Sequence, residues 1–382
     1  MAASHTVIRG RGAVTNASGR YESDKRENFD DGWEGLEDDA PAPLRTTLTP
    51  EKARRIITTN DSPDIGFSRS INPYRGCEHG CIYCYARPAH AYMGLSPGLD
   101  FESKLFFKPE APALLERELS KKGYQPEYIH IGGNTDPYQP IEKRLRITRR
   151  LLEVMERFSH PFSIITKNGL IVRDADILGR MGRRGLARAF VSVTSLDRKL
   201  ARTMEPRAAT PQKRLDAIRR LSDAGCPVGV GFAPVIPGLN DHELEAVLEA
   251  AAAAGATTAM YVTLRLPLEI KDLFREWLRE NFPDRADRVI SLIRQALGGR
   301  DYDPEWGSRM KGSGPIADLI ASRFAVTTRR LGLNVERPEL DASQFQVPAK
   351  AGDQLNLFSL QGEGGPRLPD GRASGREVKA GG

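Results

Sequence analysis

Three of the four cysteines in this chain, Cys77, Cys81 and Cys84, sit in one short run, Arg75-Gly-Cys-Glu-His-Gly-Cys-Ile-Tyr-Cys-Tyr-Ala-Arg87, with the spacing C-x3-C-x2-C. Thiolates are soft ligands and favour zinc or iron–sulfur centres over hard cations. A 4Fe-4S cube has four irons, and complete protein ligation uses four cysteines. Three thiolates therefore leave one iron with an open position, able to hold and polarise a second molecule. Gly76 and Gly80 let the backbone fold closely around a bulky centre. The competing reading is a structural zinc site of the Cys3His type, with His79 or His90 as fourth ligand. Against it, zinc sites usually show paired C-x2-C units. Four cysteines in 382 residues do not make a disulfide-stapled fold. The remaining cysteine, Cys226, reads as a buried structural residue.

Other stretches offer binding groups. Tyr128-Ile-His-Ile-Gly-Gly133 runs into Asn134-Thr-Asp-Pro-Tyr-Gln-Pro140. Gly132 and Gly133 let backbone approach a ligand without a side-chain clash, and Asn134, Thr135 and Asp136 supply hydrogen-bonding groups. The same residues also suit a plain Asn/Pro turn. Thr166-Lys-Asn168 and Ser192-Val-Thr-Ser195 end two apolar runs with hydroxyls, which serve a ligand or cap the next helix equally well.

The elements that must position these groups alternate regularly. Strands are expected at 67–72, 128–132, 162–166, 189–193, 228–232 and 259–263. Helices are expected at 111–121, 144–158, 174–182, 211–224, 241–254 and 271–281. Strands that each lead through a loop into a helix predict an α/β fold, a partial (β/α)6 barrel of the TIM type built on a parallel sheet. Chemistry in such barrels sits at the carboxyl ends of the strands, where the polar loops above fall. The core is expected over residues 65–284. A helical C-terminal extension over 285–337, with helices at 286–297 and 316–331, would cover the open side of the barrel. Residues 1–50 and 338–382 are polar and rich in Gly, Pro or charge, and read as disordered termini; Phe29 and Trp33 offer the first of these a way to lie along the core.

The cysteine loop, with Tyr83 just before its third cysteine, resembles the C-x3-C-x-aromatic-C signature of the radical S-adenosylmethionine (radical SAM) enzymes. That resemblance implies a 4Fe-4S cluster on Cys77, Cys81 and Cys84, with SAM on the open iron and cleaved to a 5'-deoxyadenosyl radical. The family's second strand usually ends in Gly-Gly-Glu, whose glutamate meets the methionine amine. Here Gly132 and Gly133 match, Asn134 replaces the glutamate, and Asp136 is the candidate substitute. By the same likeness Tyr83, Thr166, Ser192 and Thr194 would line the SAM pocket. Ser192-Val-Thr194, Glu205-Pro206, Arg214-Leu215 and the run Pro234-Val-Ile-Pro-Gly-Leu-Asn-Asp241 look like the branch that includes spore photoproduct lyase and its relatives, and Arg9-Gly-Arg-Gly-Ala13 and Ser70-Ile-Asn-Pro-Tyr-Arg75 resemble one subgroup of those relatives. The likeness spans about residues 8–360. It marks Glu205, Arg207 and Arg214 as contacts to SAM or as salt bridges that shape its pocket. It implies an electron donor such as a flavodoxin or ferredoxin, and a substrate such as damaged DNA, with tRNA or peptide modification left open. A non-catalytic zinc module that binds nucleic acid is the reading from another class.

A net charge of +6 and a pI near 9.1 suit a nucleic-acid partner, although the basic residues are spread along helices. No run of about 18 apolar residues suggests a membrane span, and the amino terminus has no signal-peptide core, so a cytoplasmic location is expected. In the polar tail, Gln354-Leu-Asn-Leu-Phe358 resembles the peptide by which bacterial repair proteins dock on the DNA sliding clamp, with Leu355, Leu357 and Phe358 as the apolar part and Gln354 setting register.

Overall fold

A parallel sheet covered on both faces requires strands that are apolar nearly throughout, and the central strands here are almost wholly buried. In the computed structural model, which describes residues 10–24, 44–336 and 339–349, ten strands form. They are β1 (Thr47–Pro50), β2 (Ile57–Thr59), β3 (Arg69–Ile71), β4 (Tyr74–Arg75), β5 (Lys104–Phe107), β6 (Ile129–Ile131), β7 (Phe162–Thr166), β8 (Ala187–Ser192), β9 (Val228–Val235) and β10 (Thr258–Thr263). The large sheet runs β10-β9-β8-β7-β6-β3-β2. All its neighbours are parallel except β2, which lies antiparallel on β3. The six parallel strands are those expected, and β2 extends the sheet at the β3 edge. A second sheet, β1-β5-β4, was not foreseen.

Helices Ala111–Leu119, Ile147–Arg157, Ala175–Arg183, Pro211–Asp223 and Leu244–Ala253 pack their apolar stripes on the large sheet in one core. Pro211 and Pro315 begin helices, where a missing N–H removes no bond. The single helix expected at 144–158 is broken. Arg146 is left-handed, at φ 53°, between Glu142–Leu145 and Ile147–Arg157. The Glu142 carboxylate accepts the Thr148 N–H at 3.1 Å and so satisfies a free donor of the second helix. Helices Ile270–Asn281, Ala286–Ala296 and Pro315–Arg330 follow the last strand.

The segment after Ala296 also ties the two edges of the sheet. At β10, Thr263 donates its N–H to Met310 O at 2.9 Å and its hydroxyl to Lys311 O at 2.8 Å. On the side of β2 and β3, Asp64 accepts the Gly307 N–H at 2.7 Å and pairs with Arg309.

One expectation fails in part. Residues 10–24 and 44–50, read as part of a polar segment without structure, are packed against the core: Arg11, Gly12 and Ala13 are buried, and 47–50 form β1. Apart from Ala13 and Val14 they are held by polar bonds, so they left no periodic apolar signal. Gln354, Leu355, Leu357 and Phe358 lie outside the described residues. Among the described residues no helix is long and apolar enough to cross a membrane.

Candidate active site

The cysteine loop follows β4 and is held from several sides. Cys77 N–H donates to Phe101 O at 3.0 Å and Ile82 N–H to Met204 O at 3.1 Å. Gln139, in the turn after β6, accepts the Glu78 N–H at 3.0 Å and donates to Gly76 O at 3.2 Å. Gly76 and Gly80 have φ of 72° and 68°, and a Cβ at Gly76 would fall 2.8 Å from Phe101 O, so both must be glycine.

Underneath, Arg87 is fully buried. Its guanidinium donates to Cys81 O at 2.9 Å, Gly80 O at 3.2 Å, Pro97 O at 3.0 Å and Gly98 O at 2.9 Å, and pairs with Glu102 at 2.5 Å. Glu102 in turn accepts the N–H groups of Gly12 and Ala13 at 2.9 and 2.8 Å. A buried pair of this kind is tolerable because nearly every donor finds a partner.

All three thiols are free; Cys77 and Cys81 are buried and Cys84 is half-buried. Burial pushes their pKa values up, and at Cys77 the neighbouring Asp136, Cys81 and Cys84 add to it. Neither histidine joins them. The His79 ring lies between Asp136, at 3.3 Å, and Asn168, at 3.3 Å, while His90 Nε2 meets Lys104 O at 3.0 Å. Four ligands on one zinc would bring sulfurs to about 3.8 Å of each other. Among the described residues no three His, Cys, Asp or Glu groups converge closely enough to hold one metal ion. What the loop supplies is three free thiols, the soft donors that an iron–sulfur centre takes.

The strand-end residues divide into those that build the frame and those that face the mouth. Gly132, at φ 95°, allows no side chain, since a Cβ would lie 2.9 Å from Ile165 O. Gly133 O accepts the Tyr85 hydroxyl. Asn134 is exposed, and its N–H is fixed by Asn72 Oδ1 at 2.8 Å. Asp136 has no free oxygen: Oδ1 accepts from Tyr138 N at 2.8 Å and Thr166 Oγ1 at 2.7 Å, and Oδ2 from Lys167 N at 2.7 Å. Burial alone would raise its pKa, but His79, Thr166 and Lys167 pull it down to about 2. In this structure it ties the ends of β6 and β7 together.

Tyr83, Thr194, Glu205 and Arg214 form one buried network. Glu205 accepts the Tyr83 hydroxyl and the Thr194 hydroxyl, the latter at 2.6 Å, and pairs directly with Arg214. Arg214 also donates to Ser192 O at 3.1 Å and Ala209 O at 2.8 Å. Desolvation works against charge on Glu205, yet Arg214 and Lys167 keep its pKa below the ordinary value. Glu205 and Arg214 thus form a buried salt bridge beside the end of β8. Ser192 Oγ faces Gly231 on β9. Arg207 is exposed and pairs with Glu78 at 3.2 Å. Cys226 lies in the main core with its Sγ 3.5 Å from Pro227 O, as a structural cysteine would.

Three mouth residues escaped the sequence reading. Lys167, after β7, places its ammonium 5.8 Å from the centre of the Tyr83 ring. Tyr85, next to Cys84, is 52% exposed. Arg265, just beyond β10, donates weakly to Met310 Sδ at 3.3 Å and Tyr302 OH at 3.4 Å. Only Tyr85 carried a local signal, its place beside the third cysteine.

The family model described as the Radical SAM superfamily matches residues 71–251, from the end of β3 into the helix after β9. The chain belongs to the radical SAM superfamily. An uncharacterized protein of Mycobacterium tuberculosis is 35% identical over 231 residues, 60% of this chain and 68% of that one. An uncharacterized protein of Methanocaldococcus jannaschii is 27% identical over 241 residues, 62% of this chain and 85% of that one. Among solved structures, spore photoproduct lyase complexed with dinucleoside spore photoproduct is similar over 74% of this chain and 78% of that one, at 18% identity and a TM-score of 0.48. A radical SAM enzyme uses SAM and an iron–sulfur cluster. The loop fits such a cluster by its three free thiols, two of them buried and one half-buried, gathered on one short run.

Proposed function

We propose that Cys77, Cys81 and Cys84 hold a 4Fe-4S cluster with one iron left to SAM, and that the enzyme abstracts hydrogen from a polynucleotide substrate, damaged DNA being the leading case. The observation that carries the cluster assignment is the loop itself: three free thiols on a backbone with no room for larger residues, set among the strand ends. When bound, SAM and the cluster supply the 5'-deoxyadenosyl radical. The protein holds and orients. Gln139, Arg87 and Glu102 keep the loop's backbone in place, and the Glu205–Arg214 pair ties Tyr83 to the ends of β8. Burial of Cys77 and Cys81 keeps water from the thiolates once metal has displaced their protons. The polynucleotide reading is supported by the net charge of +6 and by cations, Lys167 and Arg265, at the mouth.

Anaerobic reconstitution with iron and sulfide tests the assignment. The expected product is a brown protein with about four irons per chain that, once reduced, releases 5'-deoxyadenosine from SAM. Cys81→Ala is expected to lose the cluster and the product. Full metal content in Cys81→Ala, or a colourless, air-stable zinc protein, would overturn it.

A further inference from the structure

Arg265 is a mouth cation whose hydrogen bonding is incomplete. A guanidinium has five N–H donors in a planar fork and strongly prefers carboxylate, phosphate or carbonyl oxygens. Here the fork meets a thioether, Met310 Sδ at 3.3 Å, and a phenol, Tyr302 OH at 3.4 Å. Its Nε is buried with no hydrogen-bond partner. Buried polar groups are nearly always satisfied, and an orphaned donor on a charged group calls for an explanation. Asp64, a carboxylate within electrical reach of Arg265, is already taken by Arg309 and by Gly307 N–H at 2.7 Å.

The position is built, not incidental. Thr263, two residues earlier, is fixed through both its N–H and its hydroxyl to the 310–311 backbone, so the segment carrying Met310 is pinned beside Arg265. Arg265 also acts electrostatically on Tyr85, which adjoins Cys84 and whose hydroxyl is fastened to Gly133 O. Lys167 exerts its charge on Cys84 as well. The mouth thus has a cation after β10 and another after β7. The nearby acids, Asp136 and Glu205, are consumed by their own bonds.

From this geometry we infer that Arg265 is the residue that takes an anionic oxygen group of the substrate, specifically a phosphodiester of a single strand entering the mouth, with Met310 and Tyr302 holding the guanidinium ready. This rests on the polynucleotide reading above. SAM carries a carboxylate of similar chemistry, so the test separates the two sources.

A fluorescein-labelled single-stranded DNA 12-mer is titrated by anisotropy against the anaerobically reconstituted full chain with SAM present, over a series of KCl concentrations. SAM affinity is measured separately by equilibrium dialysis. For Arg265→Met the expected result is a loss of oligonucleotide affinity of about tenfold or more. Its log–log salt slope becomes shallower by about 0.7, as for one phosphate contact on a single strand, and SAM affinity and iron content stay at the wild-type level. Arg265→Lys retains the charge but not the fork, so it keeps the salt slope and loses part of the affinity. Wild-type affinity and slope in Arg265→Met would overturn the inference. So would a fall in SAM affinity, which would assign Arg265 to SAM's carboxylate. If the wild type does not bind the oligonucleotide at all, the polynucleotide reading fails and the inference with it. Should Arg265→Met lose its iron or its fold, the lysine variant decides: unchanged affinity there sinks the proposal.

Discussion

Glu205 is fully buried and carries a charge because four groups share it: Arg214, Tyr83, Thr194 and, at longer range, Lys167. Removing one partner of such a pair leaves a buried charge uncompensated, at a cost of about 3–5 kcal/mol. Arg214→Met is therefore expected to lower the unfolding free energy of the anaerobic protein, measured by urea titration, by an amount near that value. Tyr83→Phe removes one hydroxyl while Glu205 keeps its other partners, and should cost only about 1 kcal/mol. Equal losses from both would show that Arg214 acts by packing and not by charge. At this scale the sequence was informative where chemistry is local. The cysteine spacing and the Glu-Pro and Arg-Leu pairs pointed at residues that the fold sets on one loop and in one buried network. Lys167, Arg265 and Glu102 were invisible because their roles depend on partners up to 90 positions away, as for Glu102 and Gly12.

The stretch 10–24 works as a strap. Gly12 lies against the cysteine loop so closely that a Cβ there would sit 1.7 Å from Gly80 O. Farther on, Asn16 donates to Asp100 at 3.0 Å and Thr15 to Glu276 at 2.7 Å, so the strap bridges the loop and the helix Ile270–Asn281. Gly12→Val cannot be accommodated without displacing the strap from Glu102, which would unsettle Arg87 and the loop backbone it holds. The expected outcome is faster loss of the cluster's visible absorbance to a chelator, several-fold above wild type. Thr15→Val, which removes one peripheral bond, should change the rate little; equal rates in Gly12→Val and wild type would show that the strap does not support the loop. The strap also shows why elements differ in legibility. The β/α alternation could be read because each strand and helix buries an apolar pattern of fixed period. A segment held by Arg11, by two backbone N–H groups and by a glycine contact has no such pattern. The break at Arg146 was missed for a related reason: the carboxylate that caps the start of the second helix, Glu142, comes from the short helix before it, and a left-handed arginine is uncommon.

Three buried imidazoles in different parts of the molecule are expected to make the fold sensitive to mild acid. Burial drives the pKa of His90, His130 and His160 down to about 4 from an ordinary 6.5. His160 is wedged between Phe345 and Tyr124, with Nε2 at 2.8 Å from the Tyr124 hydroxyl. His130 stacks on Phe67 at 4.3 Å and meets Ser163 Oγ at 2.9 Å. The sign follows from linkage. The unfolded chain takes up protons near pH 6.5 while the folded one does not until about 4, so stability is fully present above 6.5 and is lost as the pH falls through that window. Between pH 7 and 5 each imidazole costs at most about 2 kcal/mol, from the part of the shift already traversed. The urea midpoint should therefore drop steeply between pH 7 and 5, well before ordinary carboxylates titrate. His160→Asn is expected to be less stable than wild type at pH 7, because it surrenders ring packing, and to show a shallower dependence, with one titrating group fewer. Since His160 lies outside the cysteine loop, iron content at pH 7 should be unchanged, which separates unfolding from cluster loss. A pH slope in His160→Asn as steep as that of the wild type would mean that His160 contributes nothing to the acid sensitivity.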